Sequence, residues 1–146
     1  MTIYFASDHA GFSLRQTLLA HVHAAGHDVV DLGPAAESSV DYPDFGVKLA
    51  TALQQDDAGY GIAICGSGIG ISMALNRFSW VRAALVSDPL AAALARQHND
   101  ANVLALGERL IEPDLAKQCV DHFLDTEFEG GRHQRRVAKL SQIGEK

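Results

Sequence analysis

Apolar positions in this chain come in short unbroken runs, separated by longer stretches in which they recur every three or four residues. "TIYFAS" (Thr2–Ser7) is the first such run and predicts a buried strand. "FSLRQTLLAHVHAAG" follows and sets Leu14, Leu18, Val22 and Ala25 on one helical face, with Gly26 as the stop. "HDVVDLG" predicts a second strand ending at Gly33, and "DYPDFGVKLATALQQ" opens with turn residues and continues as a helix. "GYGIAIC" shows no alternation at all, as expected for a strand covered on both faces. "VRAALVS" and "ANVLALG" predict strands four and five. Between them a helix runs from Asp88, with Pro89 suited to its first turn. Further helices are expected near Pro113–Asp125 and Arg132–Ile143.

Strand followed by helix, repeated along the chain, predicts an α/β fold: a three-layer α/β/α sandwich around a five-stranded parallel, Rossmann-like sheet. No linker, internal repeat or low-complexity segment interrupts the pattern, so residues 1–146 are expected to form one domain, with the tail from Gly144 to Lys146 fraying. In open parallel sheets ligands bind beyond the carboxyl ends of the strands, where strand order reverses. Ser7-Asp8-His9, Cys65-Gly66-Ser67-Gly68 and Gly107-Glu108-Arg109 follow predicted strands one, three and five. A strand order of 2-1-3-4-5 puts Asp8, His9 and Cys65 on one crevice. The segment "RQHND" (Arg96–Asp100) is expected to bring His98 to the same place.

Composition narrows the possible partners. The chain of 146 residues carries a formal net charge of −6, which argues against broad affinity for nucleic acid. The first residues, "MTIYFASDHAG", do not read as a secretory leader, and no apolar run approaches the ~18 residues of a membrane span. Cys65 and Cys119 are far apart with no CxxC spacing, which predicts free thiols in a reducing, cytoplasmic setting. Cys119 shares a helical face with Leu115 and Phe123 and is expected to be core filler. His21, His23 and His27 lack accompanying cysteine or carboxylate ligands and are expected at the surface.

The chemistry concentrates at "AICGSGIGIS" (Ala63–Ser72). Gly66, Gly68 and Gly70 form GxGxG. The dinucleotide fingerprint is GxGxxG, and here Ile71 holds the third glycine's place; the GK[ST] of a phosphate-binding P-loop is absent. The alternative is a backbone cradle for an oxyanion or a phosphate, with a helix starting near Gly70 behind it and Cys65 at its lip. A thiolate there can attack a carbonyl or remove a proton beside one, whereas a plain buried cysteine on a tight turn would do nothing. Asp8-His9 is either an acid–base pair or a helix cap. In "GGRHQRR", Gly130-Gly131 form a hinge. Arg132 and Arg136 share a helical face beyond it, and two guanidinium forks on one face suit a phosphate dianion. Arg109 adds a third cation in an otherwise acidic chain. The expected ligand is therefore a small phosphorylated molecule.

The blocks "SDHAGF", "DYPDF", "ICGSGIGIS", "RQHNDANVLALGER" and "EGGRHQRRV" occur in this order from Ser7 to Val137. Together they resemble the type B ribose-5-phosphate isomerase family, which also holds the galactose-6-phosphate isomerase subunits. The resemblance implies an aldose–ketose isomerase that works through a cis-enediolate without metal or other cofactor. By matching position, Cys65 is the implied base, and Gly66, Ser67, Gly68, Ile69 and Gly70 form the implied cradle. Ser67 stands where the family often has threonine, and its hydroxyl remains. His98 is the implied acid for opening the furanose ring, with Asp8 assisting, and Asn99 is an implied substrate contact. His9, Arg109, Arg132 and Arg136 form the implied phosphate site. One branch of the family lacks the cysteine and uses a glutamate a few residues later; that place is Ile71 here, so Cys65 is the only local base. The family implies homodimers or homotetramers with sites shared between subunits. The sequence leaves open a tetrose, allose or galactose phosphate as substrate, a binding module without catalysis, and a need for a different partner chain.

Overall fold

The computed structural model describes residues 1–144; Glu145 and Lys146, included in the expected one-domain span and fraying tail, lie outside the described residues. Five strands, β1 (Thr2–Ser7), β2 (Asp28–Asp31), β3 (Tyr60–Cys65), β4 (Ala83–Leu85) and β5 (Val103–Gly107), form one parallel sheet. The helices are α1 (Phe12–Ala24), α2 (Tyr42–Gln55), α3 (Ile69–Leu75), α4 (Pro89–Asn99), α5 (Pro113–Asp125) and α6 (Arg132–Gln142).

Side-chain alternation along the inner strands sorts the helices into two layers. Ile62, Ile64, Leu104 and Leu106 face the layer of α1, α4 and α5, where Leu18, Ala95 and Phe123 complete the core. Ala63 and Cys65 face the layer of α2 and α3, with Leu49 and Ile71. This second face is built from small residues, and Leu49 packs directly on Gly61. Cys119 is fully buried in the first core, where loss of hydration pushes its thiol pKa up to about 11. Ala25 falls one residue past the end of α1 and is exposed, so it adds nothing to the apolar stripe.

The strand order is β2-β1-β3-β5-β4, not the expected 2-1-3-4-5. Burial explains the exchange. Val103–Gly107 is apolar and buried at every position, as an inner strand must be. The run around β4 yields only three paired residues, is half exposed, and follows Arg82, so it takes the edge. Strands β1 and β3 remain neighbours with helices leaving them to opposite faces, and the crevice between their carboxyl ends survives the correction.

One buried residue has no sequence signal. Arg15 of α1 is almost wholly enclosed, and its guanidinium donates to Ser7 Oγ at 2.6 Å and to the Pro34 carbonyl, while pairing with Asp31 at 3.1 Å. It ties the ends of β1 and β2 to the loop that follows β2, beneath Asp8 and His9.

Candidate active site

At the carboxyl edge, β3 ends at Cys65 in register with Gly107 of β5. The chain then folds tightly over the end of β5. Gly68 has φ +77°, and a β-carbon on it would lie 2.8 Å from the Leu106 carbonyl carbon; one on Gly107 would lie 2.5 Å from the Ser67 backbone. No other residue type fits these two places. The turn aims the Gly68 N–H at Cys65 Sγ, 3.2 Å away, and the Ile69 N–H at Ser67 Oγ, also 3.2 Å. Cys65 is 4% exposed. It is buried and yet faces a polar donor, a setting that plain core packing does not require.

The β5 side of this edge is fastened to the loop by two backbone bonds of 3.0 Å, from Glu108 N–H to the Cys65 carbonyl and from Arg109 N–H to the Gly66 carbonyl. The Arg109 side chain lies over Gly66 so closely that a β-carbon there would stand 3.0 Å from its guanidinium. On the other side, Asp8 caps a short 3-10 turn (His9–Gly11) by accepting the Gly11 N–H at 3.1 Å. The Val40 N–H donates to His9 Nδ1 at 3.2 Å, so the neutral ring carries its proton on Nε2. Asp8, His9, the Cys65–Gly70 loop and Arg109 therefore share one edge. A cavity of about 260 Å³ adjoins the loop, lined by Ser67, Ile69, Leu85, Gly107 and Leu110 among others.

His98, Asn99, Arg132 and Arg136 are not there. Helix α4 runs back from β4 to the start of β5, so its last turn arrives at the amino edge of the sheet, contrary to the expected shared crevice. Ala101 bonds back to Ala95, and Asn102 joins the Arg82 carbonyl and Gly61 at the strand starts. From Val103 to Gly107 the sheet alone spans about 13 Å. Helix α6 packs on α4 at this second edge: Glu129 N–H bonds the Gln97 carbonyl at 3.1 Å, and the His98 and His133 rings stack with centroids 4.4 Å apart. His133 and Val137 form the buried face of α6, and Arg132 and Arg136 stand exposed beside it. A cavity of about 740 Å³ lies at this edge, bounded by Arg77, Trp80, Arg82, Asn99 and Leu140 among others.

Four residues near these edges escaped sequence reasoning. Tyr42 lays its ring against Gly70, and Glu108 accepts the Leu14 N–H at the start of α1 at 2.5 Å. Glu129 and His133 surround His98. Both lie inside "EGGRHQRR", and their i,i+4 spacing was the available signal.

A parallel α/β sheet with a thiol, a glycine turn and a flanking arginine at its carboxyl edge places the chain in the Rossmann-like class. Residues 3–140 match the family model described as Ribose/Galactose Isomerase, and the chain belongs to that family. It is 44% identical over 141 residues to the ribose-5-phosphate isomerase B of Escherichia coli, covering 97% of this chain and 95% of that protein. The solved Clostridium thermocellum ribose-5-phosphate isomerase B superimposes with a TM-score of 0.95 at 45% identity, over 98% of this chain and 97% of that one. The Mycoplasma genitalium ribose-5-phosphate isomerase B, solved with bound ribulose-5-phosphate, gives a TM-score of 0.93 at 43% identity, over 97% and 94%.

Proposed function

We propose that this chain interconverts ribose 5-phosphate and ribulose 5-phosphate, with Cys65 as the base. The observation that carries the reading is the near-complete match to a relative solved with ribulose-5-phosphate bound, over a chain whose one thiol at the sheet's carboxyl edge faces a glycine cradle.

The furanose opens first. His98 gives a proton to the ring oxygen as the C1–O4 bond breaks, and Asp8 takes the proton of the C1 hydroxyl. The Cys65 thiolate then removes the C2 proton. Its electrons form the C1–C2 double bond and leave the negative charge on O1, which the backbone N–H groups of Gly66–Gly70 and the Ser67 hydroxyl hold. A donor of this kind is typically worth about 10²–10³ in rate. The C2 hydroxyl proton passes to O1, C2 becomes the carbonyl, and the thiol returns its proton to C1. His9, Arg109, Arg132 and Arg136 grip the phosphate, and Asn99 holds a sugar hydroxyl, so that C1 and C2 face the sulfur.

These roles need two copies of the chain. Cys65 stands at one edge of the sheet and His98 at the other, so a dimer must set the carboxyl edge of one copy against the amino edge of its partner. Two-fold symmetry then builds two equivalent sites, and a tetramer is a pair of such dimers. The free thiols Cys65 and Cys119 suit a reducing cytoplasm. The test is turnover by the purified chain of four-, five- and six-carbon aldose phosphates. Preference for ribose 5-phosphate is expected; preference for another sugar would move the substrate and keep the chemistry, and silence across the panel would overturn the reading.

A further inference from the structure

Resting on the reading of His98 as the ring-opening acid, we infer that Glu129 is a positioning residue that holds His98 ready to give its proton. Glu129 Oε1 lies 3.9 Å from His98 Nε2 and 3.8 Å from His133 Nε2, so one carboxylate oxygen faces both rings. The backbone fixes this arrangement independently of the side chain. Glu129 N–H is bonded to the carbonyl of Gln97, the neighbour of His98, and Gly130 and Gly131 turn the chain with φ +67° and +56° so that α6 starts beneath the pair.

The two imidazoles are not equivalent. The His98 side chain is 39% exposed and that of His133 11%. Burial holds the His133 pKa below the usual histidine value, and the nearby charges of His98, Arg132 and Arg136 push it the same way against the pull of Glu129. His133 is thus the ring less inclined to take a proton, and His98 is the more exposed of the two rings that Glu129 faces. A carboxylate at one ring nitrogen orients an imidazolium and leaves the other nitrogen free to donate, as in an acid–base dyad. A shared metal ion is the poorer account of the trio. The rings lie only 14° from parallel, and two such planes cannot both aim in-plane lone pairs at one ion.

The groups against His98 are then Glu129 from the loop before α6 and His133 from α6 itself. The test compares Glu129→Gln and Glu129→Asp with the parent in two assays. One is turnover of ribose 5-phosphate, which is cyclic and must be opened. The other is exchange of the C1 proton of ribulose 5-phosphate in deuterium oxide. That ketose cannot close a furanose because its O5 carries the phosphate, so the exchange reads the thiol step alone. Glu129→Gln should lower ribose 5-phosphate turnover about tenfold, within the about 10²–10⁴ of a whole general acid. It should also leave exchange within about twofold, with Glu129→Asp intermediate. Unchanged turnover, or equal loss in both assays, overturns the role of Glu129. His98→Gln is measured alongside. If it leaves ribose turnover intact, the reading of His98 fails, and this inference with it; if it abolishes turnover while Glu129→Gln does nothing, only the inference fails.

Discussion

Mixing two crippled variants, Cys65→Ala and His98→Gln, should restore activity that neither has alone. Cys65 ends β3 at the carboxyl edge, while His98 precedes β5 at the amino edge. The length of β5 alone separates them by about 13 Å, several times a hydrogen-bond distance of about 3 Å, so no side-chain rotation unites them within one chain. If each site takes Cys65 from one copy and His98 from the partner, a mixed dimer has one site with both changes and one with neither. Random pairing makes half the dimers mixed, and half of their sites are intact, so the mixture should recover about one quarter of parental turnover. The assay is ribose 5-phosphate turnover after the variants are mixed at equal concentration and allowed to exchange, with two affinity tags reporting the fraction of mixed dimer. Activity that stays at the sum of the two variants, although mixed dimers are recovered, would refute the division of the site between copies.

Three further outcomes are expected. Cys65→Ala should cut isomerisation by about 10²–10⁴ and abolish C1 proton exchange, while calorimetry finds sugar-phosphate affinity nearly unchanged; normal exchange would remove the assigned base. Arg132→Ala and Arg136→Ala should each raise KM for phosphorylated sugars about tenfold with little change in kcat, since both are exposed and each removes a charge-assisted contact; equal kinetics would take them out of the phosphate site. Cys119 makes alkaline stability a third check. Its native pKa of about 11 lies above the unfolded value of about 8.5, so the native state holds the proton more tightly. Its stabilisation is complete below about pH 8.5 and declines as pH rises toward 11, by up to about 3 kcal/mol. Denaturant titrations should show Cys119→Ala with a flatter loss over that window, and identical slopes would show that the buried thiol is not the cause.

The elements were legible in the pattern of residues. Unbroken apolar runs placed β1 at Thr2–Ser7 and marked β3 as a strand covered on both faces, and Pro89 and Pro113 marked helix starts. The glycine spacing behind Cys65 signalled a tight backbone turn, and the φ of Gly68 with its close approach to the end of β5 shows why glycine is needed there. Strand order was beyond the pattern. Periodicity reports which faces of an element are covered and carries nothing about which strand lies beside which, so β4 and β5 were exchanged. The same gap put His98 on the wrong edge. A polar segment before a strand reads in one dimension like a polar segment after one, and only the return path of α4 across the sheet separates it from Cys65. Arg15 and the group of His98, Glu129 and His133 were hidden for a related reason. Their burial and pairing join residues from different elements, and contacts between elements exist only once the helices have packed on the sheet.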